Sequence, residues 1–187
     1  MATPGYGPSA LATPANAVTM IRVLATPFLV LAILAEETGC ALVVAWILLA
    51  ATDGADGWLA RRHGTTRSGA FLDPLADKIV VLSAMAALVS VHRMWWAPVA
   101  LIGVRELAVS AYRSYVGRRG VSVPARPWAK VKTVFQDVVV GLALVPLTSD
   151  LFRGLIAVVL WTAVGLTLAT GGQYLWDGRR VVRPDAV

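Results

Sequence analysis

Six mostly apolar stretches fill this 187-residue chain, at about 18–35, 40–60, 71–91, 95–116, 131–147 and 155–176. Each approaches the roughly 20 residues that a helix needs to cross a bilayer. Hydrophobic residues make up 57% of the chain and charged residues only 15%, against about 45–50% and roughly a quarter in water-soluble domains. No repeat, low-complexity block or strand-like alternation competes with this pattern. The expected fold is therefore an all-α integral membrane protein of about six transmembrane helices in one bundle. Residues 1–15, rich in Pro, Gly, Ala and Thr, read as a flexible tail without the basic start of a cleavable signal peptide. Residues 16–176 read as the membrane domain and 177–187 as a basic C-terminal tail.

The net charge of +6 does not point to nucleic acid, because no basic-aromatic surface motif accompanies it. Its distribution points instead to membrane topology. Arg61, Arg62, Arg67, Arg118, Arg119, Arg126, Lys130, Lys132, Arg179, Arg180 and Arg183 fall on one side of the expected helices. The other side has only Arg93 and Arg153, beside Glu36, Glu37 and Asp150. Positive-inside logic puts both termini on the cytoplasmic side of a multi-pass protein of the cell inner (plasma) membrane. Trp95, Trp96 and Trp176 suit an interfacial aromatic belt. The single cysteine, Cys40, excludes a disulfide framework and a Cys-based zinc site, and it reads as a small packing residue.

Four carboxylates, Asp53, Asp56, Asp73 and Asp77, interrupt the second and third apolar stretches. Acids in such surroundings cost a few kcal/mol or more and are rarely kept without a job. Spacings of three and four residues put each pair on one helix face, about one turn apart. Only oxygen ligands are on offer, which favours Mg²⁺ or Mn²⁺ over zinc. Magnesium commonly shares its coordination with substrate phosphates, so a phosphorylated or diphosphate substrate is the natural partner. Gly54, Gly57, Ala60, Gly69 and Ala70 lie beside the acids; they admit either a ligand or a close-packed helix. Arg61 and Arg67 suit either phosphate or topology. Two further accounts of the acids stay open: ion pairing with Lys78, Arg61 and neighbouring arginines, and a proton or cation pathway.

Asp53-x-x-Asp56-Gly57-x-x-Ala60-Arg61 followed by Gly69-x-x-x-Asp73-x-x-x-Asp77 resembles the signature of CDP-alcohol phosphatidyltransferases, with all eight fixed positions present. Seven residues separate Arg61 from Gly69, one fewer than is typical. Asn16-Ala-Val-Thr19-Met-Ile-Arg22 with Pro27-Phe28, Gly69-Ala-Phe-Leu-Asp-Pro-Leu-Ala-Asp-Lys78, Arg105-Glu106 with Arg113, and Lys130-Val-Lys132-Thr133 are similar to the phosphatidylglycerophosphate synthase branch. Ala15 stands where that branch has proline. The resemblance covers about residues 16–174. It implies a six-helix membrane fold, often a homodimer, with a polar cavity open to the cytoplasm and two metal ions, Mg²⁺ or Mn²⁺.

The same resemblance makes Asp53, Asp56, Asp73 and Asp77 metal ligands and Asp77 also the general base. Asp56, Gly57, Ala60, Arg61, Thr66 and Gly69 would surround the CDP group. The donor would be CDP-diacylglycerol. Its diphosphate would be bridged by the two cations, while Asp77 takes a proton from the acceptor hydroxyl. A carboxylate beside two cations is a weak base, so positioning and electrostatics must supply much of the rate.

The acceptor follows from other cations. Arg105 and Arg113 are eight residues apart, about two helical turns, and share a face. With Lys130, and Lys132 beside it, they suit the phosphate of glycerol 3-phosphate. Lys130 and Lys132 read equally as topology residues of the loop. Adjacent helix residues point in different directions, so Arg105 is read as a functional residue rather than as the partner of Glu106. His63 and His92 lack metal partners in the pattern, and Asp137 is a candidate partner for an arginine. Two alternatives remain: another acceptor in the same family (phosphatidylglycerol, as in cardiolipin synthase, an inositol phosphate, or serine), or a small ion or proton transporter. The transporter needs a polar path across the bilayer, whereas both Asp-bearing stretches turn strongly apolar away from the acids.

Overall fold

The computed structural model describes residues 14–35, 39–63, 69–118, 128–146 and 149–182, with side chains over 17–35, 39–52, 75–112, 115, 131–146 and 149–173. Within them lie α1 (Pro14–Leu34), α2 (Cys40–His63), α3 (Gly69–Ser90), α4 (Trp96–Arg118), α5 (Trp128–Leu144) and α6 (Asp150–Val182). No strand occurs among the described residues. Each helix overlaps one of the six apolar stretches. Ala17–Leu34 and Asp150–Gln173 are long and apolar enough to cross a membrane, by length and composition, and Cys40–Thr52 is a shorter apolar segment. Of the expected flexible tail over 1–15, residues 1–13 lie outside the described residues, and Pro14 and Ala15 instead open α1.

The helices fall into two compact units, Met1–Arg93 with Ala143–Pro146, and Met94–Leu142 with Leu147–Val187. In the first unit, α1 packs on both α2 and α3. Its buried stripe is Thr19, Arg22, Thr26, Leu29 and Ile33, steps of three and four residues that follow one helix face. The opposite face exposes Met20, Ile21, Leu24, Phe28 and Leu31, with Phe28 73% exposed. Polar groups inside and large apolar groups outside invert the arrangement of a water-soluble helix. The stripe is polar over its N-terminal half and apolar over the rest. On α3, likewise, half-buried Asp77 and Lys78 give way to buried Val80, Val81, Ala84, Met85, Ala87 and Leu88.

The second unit repeats this polarity. Along α4 the buried positions pass from Val99 and Ile102 to Glu106; along α6 they pass from Ile156, Leu160, Ala163 and Val164 to Thr167. Along α5 the order is reversed, with Lys132 and Gln136 before Val139 and Val140. Trp95 and Trp161, both exposed, meet edge to face at 5.8 Å between ring centroids, a favourable aromatic geometry.

Local chemistry sets the helix ends. Pro14 stands at the first position of α1, where its missing N–H is no loss. Ser149 caps α6: its hydroxyl accepts from the Phe152 N–H at 3.4 Å, its carbonyl accepts from Phe152 and Arg153 at 3.0 Å, and Asp150 adds an acid to the first turn. The cap starts α6 five residues earlier than its apolar stretch suggests, and the helix continues through residues 177–182 of the basic tail. The C-terminus of α3 closes in a Schellman turn. There His92 has φ 56°, its N–H donates to the Val89 carbonyl at 3.0 Å, and the Arg93 N–H donates to Leu88 at 2.9 Å. The Arg93 guanidinium then donates to the carbonyls of Ala143 and Val145 at 2.9 and 3.2 Å, satisfying acceptors at the end of α5.

Glycine carries no steric penalty in the left-handed region. Replacement His92→Gly should therefore raise stability by about 0.5–1 kcal/mol, while Arg93→Ala should lower it by about 1–2 kcal/mol. Unfolding of the detergent-purified variants by denaturant measures both.

Candidate functional site

The acidic segment sits on two helices of the first unit. Asp53 and Asp56 belong to α2, and Asp73 and Asp77 to α3, so each pair does lie about one helical turn apart. Gly57, Ala60 and Arg61 follow on α2, and Gly69 opens α3. The side chains of Asp53, Asp56, Ala60, Arg61 and Asp73, and the whole of Thr66, lie outside the described residues. The donor set still fits a hard divalent cation: all four groups are carboxylates, held on continuous helix at one-turn spacing.

Asp77 is the member whose surroundings are described. Its side chain is 26% exposed, and its Oδ1 lies 3.4 Å from Nη2 of Arg22, whose side chain is 2% exposed. The pair joins α1 to α3 across 55 positions of sequence. Helix α1 is tied locally around Arg22, because the Thr26 hydroxyl donates to the Arg22 carbonyl at 2.8 Å. Pro27, next along the same helix, supplies no backbone N–H. Ion pairing is thus present at Asp77, with one partner contributed by α1. Before the fold is known, Arg22 is only part of a resemblance; nothing in its spacing from Asp77 reveals the contact.

The second unit holds a separate charged cluster. Arg105 Nη1 donates to Glu106 Oε1 at 2.9 Å, and Nη2 donates to the Thr170 hydroxyl at 2.9 Å. Lys132 Nζ from α5 is bonded to the same Glu106 oxygen. All three charged side chains are buried or nearly so. One turn deeper, Gln136 donates to the Thr167 hydroxyl at 3.2 Å. The expectation that Arg105 and Glu106 point apart is therefore corrected. Their Cα–Cβ bonds do diverge, but the long side chains bend together because α5 and α6 supply a shared set of partners. Gly171 makes this possible: a Cβ there would stand 2.7 Å from Arg105 Nε. Lys132 is buried in α5 rather than exposed in a loop. Arg113 lies on α4 and Lys130 in the first turn of α5, with side chains outside the described residues.

Sequence reasoning passed over Thr170, Gly171, Gln136 and Thr167. A signal was available: Lys132 and Gln136, like Thr167 and Thr170, stand about one helical turn apart, so each pair marks a polar face.

Comparison with known proteins gives a consistent result. Residues 12–169 match the family model described as CDP-alcohol phosphatidyltransferase. A protein of Mycobacterium tuberculosis described as a probable phosphatidylglycerophosphate synthase is 40% identical over 176 residues, covering 90% of this chain and 83% of its own. The CDP-diacylglycerol–glycerol-3-phosphate 3-phosphatidyltransferase of Sodalis glossinidius is 39% identical over 173 residues, 86% of this chain and 92% of its own. The protein of that name from Pectobacterium atrosepticum is 38% identical over 164 residues, covering 84% and 90%.

Glu106 is the carboxylate that two buried cations share. Removing one partner of a buried pair leaves uncompensated charge at a cost of about 3–5 kcal/mol. Glu106→Gln should thus destabilise the protein by at least about 3 kcal/mol, and Lys132→Met by clearly less, since Arg105 still faces Glu106. Denaturant unfolding in detergent checks the order; equal losses would contradict it.

Proposed function

The chain belongs to the CDP-alcohol phosphatidyltransferase family, and from that premise we propose that it transfers the phosphatidyl group of CDP-diacylglycerol to sn-glycerol 3-phosphate. The products are phosphatidylglycerophosphate and CMP. The reaction is the one named for relatives that match most of the chain. The observation that carries it is the placement of all four signature aspartates on continuous helix, as two one-turn pairs on α2 and α3.

In the reaction, the acceptor hydroxyl oxygen forms a bond to the β-phosphorus of the donor as the bond from that phosphorus to the bridging oxygen breaks. The electron pair leaves with CMP, and the hydroxyl proton passes to Asp77. Partial exposure of Asp77 supports this role, because a fully enclosed carboxylate would not reach a substrate hydroxyl. Asp53, Asp56, Asp73 and Asp77 would hold two Mg²⁺ ions, or Mn²⁺, which when bound supply charge neutralisation at the diphosphate and the leaving CMP. Asp56, Gly57, Ala60, Arg61, Thr66 and Gly69 would receive the CDP group. Arg105, Arg113 and Lys130 would hold the acceptor phosphate; the sharing of one carboxylate, Glu106, by Arg105 and Lys132 supports a locally cationic site there.

All six helices would cross the inner membrane, with the active site in a polar cavity open to the cytoplasm. The large apolar side chains on the outer face of α1 and the polar half of its buried stripe support this, as does the basic asymmetry of the loops. A homodimer belongs to the same proposal, on family resemblance alone.

Purified protein given CDP-diacylglycerol and Mg²⁺ should release CMP with glycerol 3-phosphate, and not with phosphatidylglycerol, an inositol phosphate or serine. Chelation should abolish release and added Mg²⁺ restore it. The variant Asp77→Asn, whose amide oxygen can still accept from Arg22, should fold and insert with some loss of stability but lose about 10²–10⁴-fold in turnover, the usual share of a general base. Release with phosphatidylglycerol alone would move the acceptor, and near-normal turnover of Asp77→Asn would remove the base.

A further inference from the structure

Four chemically identical carboxylates share the proposed site, yet one of them, Asp77, has a second job. We propose that Arg22 is the positioning residue that sets Asp77 apart: by holding Oδ1 it limits the share of this carboxylate given to a metal and aims the group at the acceptor's proton. The inference rests on the proposed role of Asp77 as base.

Three observations support it. Arg22 is fully buried, with 2% of its side chain exposed, so it is not placed to bind a substrate itself. Its guanidinium is removed from water, and a buried charge is retained only with a counter-charge; Asp77 supplies one at 3.4 Å. Finally, the carboxylate is gripped from the interior by α1, yet remains 26% exposed. One end is fixed and the group is still accessible. A cation already on one oxygen also competes electrostatically with any second cation drawn to the same carboxylate. Arg22 would thereby lower the claim of a divalent ion on Asp77 without contacting the ion.

This arrangement separates two quantities that a merely structural ion pair would move together. In Arg22→Met, kcat for CMP release should fall on the order of 10²-fold, the scale of a misplaced catalytic group. Mn²⁺ should bind the substrate-free full-length variant at least as tightly as it binds wild type, as read by electron paramagnetic resonance. Arg22→Lys, which keeps the charge, should recover kcat to within about tenfold of wild type. Asp77→Asn should cost markedly less Mn²⁺ affinity than Asp53→Asn.

Weaker Mn²⁺ binding in Arg22→Met in step with its kcat, an unchanged kcat, or an Arg22→Lys variant as slow as Arg22→Met would each overturn the assignment. Should Arg22→Met fail to fold, the comparison of Asp77→Asn with Asp53→Asn decides: equal loss of Mn²⁺ overturns it, and unequal loss in the stated direction supports it. A wild type that releases no CMP with any acceptor would sink the proposed reaction; a wild type that does, with no Arg22 effect, sinks only the role of Arg22.

Discussion

Burial of charge in apolar surroundings is the constraint on which both units depend. A guanidinium or carboxylate removed from water costs several kcal/mol unless a counter-charge and hydrogen bonds replace the solvent. In the first unit that requirement links Arg22 of α1 to Asp77 of α3. In the second it gathers Arg105, Glu106 and Lys132 with the Thr170 hydroxyl. Such contacts are poor sources of net stability, since a well-packed apolar substitute often does as well. They do specify which helix faces which, because a slipped register would strand a charge. The buried charges of each unit thus also fix its local packing.

Much of the fold was legible in advance, because helices in an apolar chain announce themselves by length and composition. The starts of α2, α3 and α4 fall within a few residues of the apolar stretches. The ends of α6 were less legible: a hydropathy window misses the Ser149 cap, and no proline stops the helix before Pro184. Among the described residues, Ala17–Leu34 and Asp150–Gln173 are the two segments long and apolar enough to cross a membrane.

The site was legible to the extent that its chemistry is local. Asp53 with Asp56, and Asp73 with Asp77, are pairs within one helical turn, so spacing alone establishes that each pair shares a face. The Arg22–Asp77 contact spans 55 positions and Lys132–Glu106 spans 26; only helix packing determines those. Arg105 and Glu106 show the opposite failure. Adjacency argued against a contact, yet long flexible side chains meet when a third helix offers both of them partners. The rule about helix faces constrains Cβ directions and short side chains more tightly than it constrains arginine and glutamate.

The direction of polarity within each helix bears on what the protein does with its charges. A transport path needs polar groups along the full depth of the membrane, whereas a transferase needs them at one end only. On α1 the polar stripe ends at Thr26 and continues as Leu29 and Ile33; on α3 it ends at Lys78 and continues through Leu88 as apolar core. In the second unit, Lys132 and Gln136 give way to Val139 and Val140, and Thr167 is preceded by Val164, Ala163 and Leu160. On each of these helices the buried polar groups thus occupy one half of the described stretch. That one-ended layout suits a donor whose acyl chains remain in lipid while its diphosphate meets a water-borne acceptor. It also fits the chain's combination of high hydropathy with a compact charged segment.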